Sequence, residues 1–586
     1  MIDTWIRGGT VIDGTGAPRV RADVAIHAGR IVAVGAVHED ARQTIDAESC
    51  VVAPGFVDLH THYDAQLLWD GTASPSPLHG VTTVVGGNCG FGLAPVTPDG
   101  AGYLARLLAR VEGISLEALE QALDWRWSSF ASYLTRFEGR LAVNAGFLCG
   151  HSALRRAVMG GRATGSEASL SELEAMRRLL GASLAEGALG FSTSLSPTHH
   201  DGEGNPVPSR AASRAELVAL AAETGRHPGT TLEGIVPGCL RGFSAEEIDL
   251  LSELSLVADR AINWNLLSID ARRPELHRSQ LDAASVAAER GARIVALTLP
   301  CTPSVRLSFV SGAILDGLPG WREVLALPVG ERLRALADSP TRSRLAAGAA
   351  SPEAGVLRNL ARWERLEIAE TFAAANRGLA GRTVGEVAAE RGAAPFDALL
   401  DVVIADQLRT GLVPPAPPDL DELRHERAQV WLDERTVLGG SDAGAHLDVM
   451  CAAVYPTHLL AHGVREHGLL SLEEAVHQLT DVPARLYGLE RRGRIAPGWH
   501  GDLVVFDPDR VAPRGEETRA DLPAGAPRLF AGADGIERVL VNGETIVERG
   551  VFASARPGRV LRSGLDTETV VARSARQTSG TPSDRS

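Results

Sequence analysis

Eight short apolar runs, most of them trailed by a segment with helical spacing, constrain this chain more than any other feature. They read VVAPGFVDL, GVTTVVGG, LAVNAGFLC, GALGFSTSL, TTLEGIV, AINWNLLSI, ARIVALTL and TVLGGSD. Parallel strands covered on both faces look like this, because neither face can afford the polar residues of a half-exposed sheet. Eight of them alternating with helices is the number that closes a (β/α)8 barrel, so the sequence predicts a TIM-like α/β fold. A doubly wound open sheet is the competing architecture. The 62 glycines suit many tight strand-to-helix turns. One intervening helix is marked at its start. Ser169 and Glu172 form a capping-box pair, and Leu173, Met176, Leu180 and Leu184 follow on one face.

Both ends of the chain have a different texture. TWIRGGTVID and ADVAIHAGRIVAVG alternate apolar and polar residues around glycine and aspartate turns, and HGDLVVFDPD and IERVLVNGETIVERGVF do the same near the other end. They predict one small β-sandwich domain built from both termini. The expected division is residues 1–54 for its first part, 55–490 for the barrel and 491–562 for its second part. Residues 563–586, ending in SARQTSGTPSDRS, read as a disordered tail. Between the seventh and eighth strands lies a long excursion, about 300–435, rich in Arg, Ala, Leu and Pro. It reads as helical and as a lid or substrate wall over the mouth.

Composition narrows the partners. A net charge of −15 argues against nucleic acid and anionic membrane. No stretch offers about 20 uninterrupted apolar residues for a span, and MIDTWIRGGTVIDG lacks the charged-then-apolar pattern of a secretion signal. Cys50, Cys89, Cys149, Cys239, Cys301 and Cys451 are scattered with no CxxC pair. Free thiols in a cytoplasmic setting are the expectation, and a homo-oligomer is left open.

The chemistry concentrates in GFVDLHTHYD. His60 and His62 are two apart, so on a strand both leave the same face and can reach one metal ion at the barrel mouth. Cys89, in a glycine-rich strand exit, is either a third ligand or a small buried hydrophobe. Asp442 follows the last apolar run and a Gly-Gly-Ser turn, before AGAH, where a turn or helix N-cap aspartate is the plain reading. His151 and Arg155 lie in GHSALR. An arginine there either pairs bidentately with a substrate carboxylate or bridges loops, and the two readings stand level. His199, beside His200 in SPTHHDGEG, and His446 are further substrate-side candidates. Tyr63 and Asp64 are weaker ones.

These motifs resemble the amidohydrolase superfamily and, within it, the N-acyl-D-amino-acid deacylase branch. The resemblance spans nearly the whole chain through IRGGTVIDGTG, APGFVDLHTHYD, HGVTTVVGGNCG, GHSALR, GALGFSTSL, GGSDAGAH and GRIAPGWHGDLVVFD. It implies that His60, His62 and Asp442 hold metal and that Asp442 takes a proton from attacking water. It also implies that Cys89 stands where many superfamily members use a carboxylated lysine. His151 and Arg155 match residues on the substrate side. The implied reaction is cleavage of the amide C–N bond of an N-acyl-D-amino acid by a metal-activated water.

The pattern departs from that branch at two strands. Relatives of this type place a histidine at the ends of strands five and six, whereas this chain reads TTLEGIVPG and AINWNLLSID. His227 precedes strand five, at the other end of the barrel. Glu233, Asn263 and Asn265 stand in the two regions instead. One zinc held by His60, His62, Asp442 and Cys89 is therefore expected, with Glu233 as an outlying fourth or fifth ligand. Hydrolysis of a cyclic amide, carbamate or lactone on the same site is the alternative chemistry. A degenerate barrel that only binds small molecules is the non-enzymatic one.

Overall fold

A computed structural model describes residues 1–301, 304–415 and 420–572 of the chain. Its centre is a closed parallel barrel. The eight strands are Phe56–Asp58, Val81–Gly86, Asn144–Phe147 continued by Cys149–Gly150, Gly190–Ser194, Thr231–Ile235, Ile262–Leu267, Ile294–Thr298 and Thr436–Leu438. The third strand joins the two sheets, pairing with the second through Thr83↔Asn144 and with the fourth through Phe191↔Cys149. Closure falls between the last strand and the first: Asp442 N–H donates to the His60 carbonyl at 3.1 Å, and His62 N–H to that of Ala443 at 2.7 Å. The open doubly wound alternative is thereby excluded, and all eight apolar runs supply a barrel strand.

The strand alternation sorts side chains into two environments. Val57, Leu59, Val85, Leu148, Leu189, Val295, Leu297 and Val437 share one apolar cluster with Leu486, Tyr487 and Leu489. Phe56, Val84, Phe191, Leu232, Ile262 and Trp264 belong instead to the large core shared with the surrounding helices. One such helix, Leu170–Ala185, begins at the Ser169–Glu172 capping box and buries Met176, Leu180 and Leu184.

The two ends of the chain fold together. A nine-stranded sheet combines five strands from residues 2–54 with Leu503–Phe506, Ile536–Val541, Glu544–Glu548 and Val551–Phe552. The seam is antiparallel pairing of Val51–Pro54 with Leu503–Phe506. The sheet is mixed, since Ile2–Val11 runs parallel to both Ala41–Asp46 and Val51–Pro54.

Three parts differ from the sequence expectation. The excursion is not simply helical. It has a three-stranded antiparallel sheet (Glu367–Glu370, Arg382–Thr383 and Gly411–Val413) and its own core around Trp321, Trp363, Ile368 and Leu399. Helical spacing along the chain does not reveal such short strands, which are held by one another. Residues 512–534 leave the terminal sheet as four short strands and meet the barrel, where Leu529 N–H donates to the Leu447 carbonyl at 2.6 Å. The beginning of the expected tail is also ordered. Thr567 donates its hydroxyl to the Gly229 carbonyl at 2.6 Å, and Glu568 N–H donates to that of Gly488 at 2.7 Å. Residues 573–586 lie outside the described residues.

Candidate metal centre

The first, second and eighth strands bring their exits to one point. His60 Nε2 stands 3.3 Å from Cys89 Sγ and 3.3 Å from Asp442 Oδ1, and His62 Nε2 is 3.7 Å from that same oxygen. The ligand atoms of His60, His62 and Cys89 all lie within 4.8 Å of one another, the only such group among the described residues. Two imidazoles, a sulfur and a carboxylate gathered this closely are a donor set that fits a tetrahedral zinc.

Local structure explains why these side chains point inward together. Asp58 accepts hydrogen bonds from Gly440 N–H, Ser441 N–H and the Ser441 hydroxyl, fixing the turn that carries Asp442 to the strand that carries the histidines. Gly440 has φ +85°, and a Cβ there would sit 2.3 Å from Asn265 Oδ1. The turn therefore needs glycine for its backbone and for the close approach of strand six. Cys89 and Asp442 are themselves left-handed, at φ 55° and 54°. Non-glycine residues in this region cost energy, and they cluster at functional sites held by the surrounding structure.

The electrostatics are those of a cage that favours a cation. Burial takes His60 down to about 3 and lifts the Cys89 thiol well above its ordinary value, with Glu233 adding to the lift. For His62 burial also works downward, but Glu112, Asp442 and Asp64 outweigh it and bring it up to about 9. Asp442 is held at about 2: burial alone would raise it, and the hydrogen bond to His62 and the nearby imidazoles reverse that.

The far side of the mouth is built from different groups. Glu233 is buried on strand five; one carboxylate oxygen accepts Cys89 N–H at 2.9 Å, and the other has no hydrogen-bond partner among the described residues. Burial pushes Glu233 up to about 8. Asn265 donates from Nδ2 to Asp442 Oδ1 at 2.9 Å. Asn263 turns to the Leu232 carbonyl and the Tyr487 hydroxyl, at 2.9 and 3.2 Å. Hence strands five and six hold the ligands of the first site and bring no imidazole. The sequence also contains no lysine, so a carboxylated-lysine bridge cannot form.

The remaining candidates divide. His199 lies over the centre, bonded through Nδ1 to the Ser194 hydroxyl at 2.8 Å, and burial takes it down to about 4. His446 is close enough to lower the Asp442 carboxyl, and its N–H donates to the Glu112 carbonyl. Beside it a cavity of about 320 Å³ opens between the segment after strand two and the excursion, lined by Arg110, Ile114, Ser311, Asp316 and Val449. Arg110 and Asp316 face each other across it at 3.6 Å. His200 bonds only its own loop, at the Thr198 carbonyl, and His227 pairs with Glu223. Tyr63 bonds Ser76, and Asp64 accepts Gly87 N–H.

His151 and Arg155 do not face the mouth, which corrects the carboxylate-clamp reading. Arg155 is fully buried, its two terminal nitrogens donating to both Glu216 oxygens and to the carbonyls of Ala163 and Ser166, while Nε has no partner among the described residues. His151 spans Thr193 and Glu216, at 2.8 and 2.9 Å. Thr193 and Phe191 point outward from strand four, so this cluster lies between barrel wall and helix Arg214–Gly225. Arg155 instead ties the carbonyls of Ala163 and Ser166 to Glu216 on that helix.

Four contributors escaped the sequence reading: Asp58, Glu112, Glu216 and the role of Asn265. Glu112 carried one signal. It is an acid directly after helix Pro98–Val111, at the end where the helix dipole disfavours negative charge.

Comparison with known proteins places the chain among similar proteins over nearly its full length. Residues 43–547 match the model of the amidohydrolase family. An N-acyl-D-glutamate deacylase of Alcaligenes xylosoxydans xylosoxydans is 31% identical over 568 residues, covering 96% of this chain and 96% of the relative. A D-aminoacylase of the same organism is 29% identical, covering 95% of this chain and 97% of that one. Among solved structures, N-acyl-D-glutamate deacylase from Bordetella bronchiseptica, complexed with zinc and a phosphonate mimic of the tetrahedral intermediate, superposes with TM-score 0.62 at 26% identity. That match covers 96% of this chain and 100% of the other.

Proposed function

Since this chain belongs to the amidohydrolase family, we propose that it cleaves N-acyl-D-amino acids with a single zinc ion held by His60, His62, Cys89 and Asp442. It is a metal-dependent hydrolase of the D-aminoacylase-like branch, acting on carbon–nitrogen bonds other than peptide bonds and on small molecules. The observation that carries the one-metal reading is the convergence of those four side chains opposite a strand-five and strand-six side that offers only carboxylate and amide groups.

When bound, the cation lowers the pKa of water towards about 7 and polarises the acyl carbonyl. The chain's own residues do the rest. Asp442 accepts the proton of the attacking water and delivers it to the departing nitrogen, so that one carboxylate serves as base and then as acid. Its Oδ1 is held by Asn265 at 2.9 Å. A hydrogen bond to an ionised group contributes about 1.5–3 kcal/mol, enough to keep the carboxylate turned towards the mouth. His199 and His446 border the reacting centre, and the cavity beside His446 is the space we assign to the substrate. Glu233 supports the centre through the oxygen that accepts Cys89 N–H, and its second, unpartnered oxygen leaves it as an outlying further ligand.

Turnover of matched N-acyl-D- and N-acyl-L-amino acids by zinc-loaded protein tests the assignment. The D-substrate should react at least tenfold faster, a difference of about 1.4 kcal/mol in transition-state energy. Equal rates or a preference for L would reject the deacylase reading. Faster turnover of a cyclic amide, carbamate or lactone would support the alternative on the same site.

A further inference from the structure

The two histidines of the cage are supported differently. His60 Nδ1 is buried and has no hydrogen-bond partner among the described residues. His62 Nδ1 meets the Glu112 carboxylate at 3.2 Å, in a bent contact, with both side chains almost wholly buried. That approach is an ion-pair distance short of hydrogen-bond geometry, and Glu112 Oε1 has no hydrogen-bond partner among the described residues. Its backbone is fixed from two directions: its N–H donates to the Leu108 carbonyl at the end of helix Pro98–Val111, and its carbonyl accepts His446 N–H.

A buried carboxylate is costly to maintain, and more so at a helix C-terminus, where the peptide dipoles oppose negative charge; the imidazoles of His62 and His446 offset that cost, with His62 the larger influence. The position is explained by what the contact does to the ring. A carboxylate facing Nδ1 favours the tautomer protonated there, leaving the Nε2 lone pair free on the side of Asp442 and His60. We propose that Glu112 is the positioning residue of the metal centre. It sets the tautomer and orientation of His62, and through His446 it ties the segment after strand two to the loop after strand eight. This rests on the metal reading above and adds a residue that touches neither metal nor substrate.

Zinc affinity measured by chelator competition tests it, together with the visible spectrum of the cobalt(II)-substituted protein. Glu112→Leu removes charge and acceptor and should weaken zinc binding by roughly 10–100-fold, as loss of an outer carboxylate partner does. Glu112→Gln keeps an acceptor oxygen and should recover most of that loss, with a cobalt spectrum close to the parent's. Melting of the metal-free proteins separates positioning from folding, since neither variant should melt lower than the parent without metal. Unchanged zinc affinity in Glu112→Leu would overturn the proposal, as would equal losses in the two variants. A parent protein that binds no zinc would overturn the metal reading itself.

Discussion

The barrel mouth has two sides at similar depth that are made from different chemistry. On the side of strands one, two and eight, imidazole, thiol and carboxylate converge within a few ångströms. On the side of strands five and six, a carboxylate and two amides stand along the strands, and two of them hydrogen-bond to the first side instead of forming a site of their own. The difference teaches that a barrel position without a ligand is not idle. Glu233 holds the Cys89 backbone and Asn265 holds the Asp442 carboxylate, so the second side determines the geometry of the first.

The sharpest way to break this comparison is to remove a donor from the converging side. His60→Ala should strip most of the zinc, read by elemental analysis, and lower kcat/KM by about a thousandfold or more, as loss of Lewis-acid assistance does. Two tightly bound ions in the parent would mean that Glu233 and its neighbours rebuild a second site, and the asymmetry would collapse. Asp442→Asn separates binding from proton transfer. Much of the metal should stay, since His60, His62 and Cys89 remain, while kcat falls by roughly a hundredfold for want of a base. An active Asp442→Asn enzyme would send the proton elsewhere.

Asn265→Ala probes the supporting side. Losing one hydrogen bond to a charged group should lower kcat by about tenfold or somewhat more, with metal content and KM little changed. If metal content falls instead, Asn265 belongs to the ligand set. The smallest effect on catalysis is expected outside the wall. Arg155→Met leaves Glu216 buried without its cation, at a cost of about 3–5 kcal/mol. The melting temperature should therefore drop clearly, while kcat/KM of the folded fraction stays within about twofold. A selective rise in KM for substrates with a free carboxylate would restore the clamp that the geometry removes.

Local pattern determined a good deal of this protein. Apolar runs bounded by glycine gave eight strands, because parallel strands must be covered on both faces. Ser169 and Glu172 marked a helix start through bonds that span three residues. The His-x-His spacing set two imidazoles side by side for the same reason that strand residues alternate. Tertiary structure alone decided which groups meet across the barrel. Asp58 and Ser441 are 383 positions apart and Asn265 and Asp442 are 177 apart, and both contacts exist only once the barrel closes with its register fixed. The same register turned Thr193 outward and carried His151 and Arg155 away from the mouth, where Glu216 from another helix completes their pairing. Spacing along a strand fixes which side chains share a face. Which face looks into the barrel, and what stands opposite, follows from packing against residues hundreds of positions away.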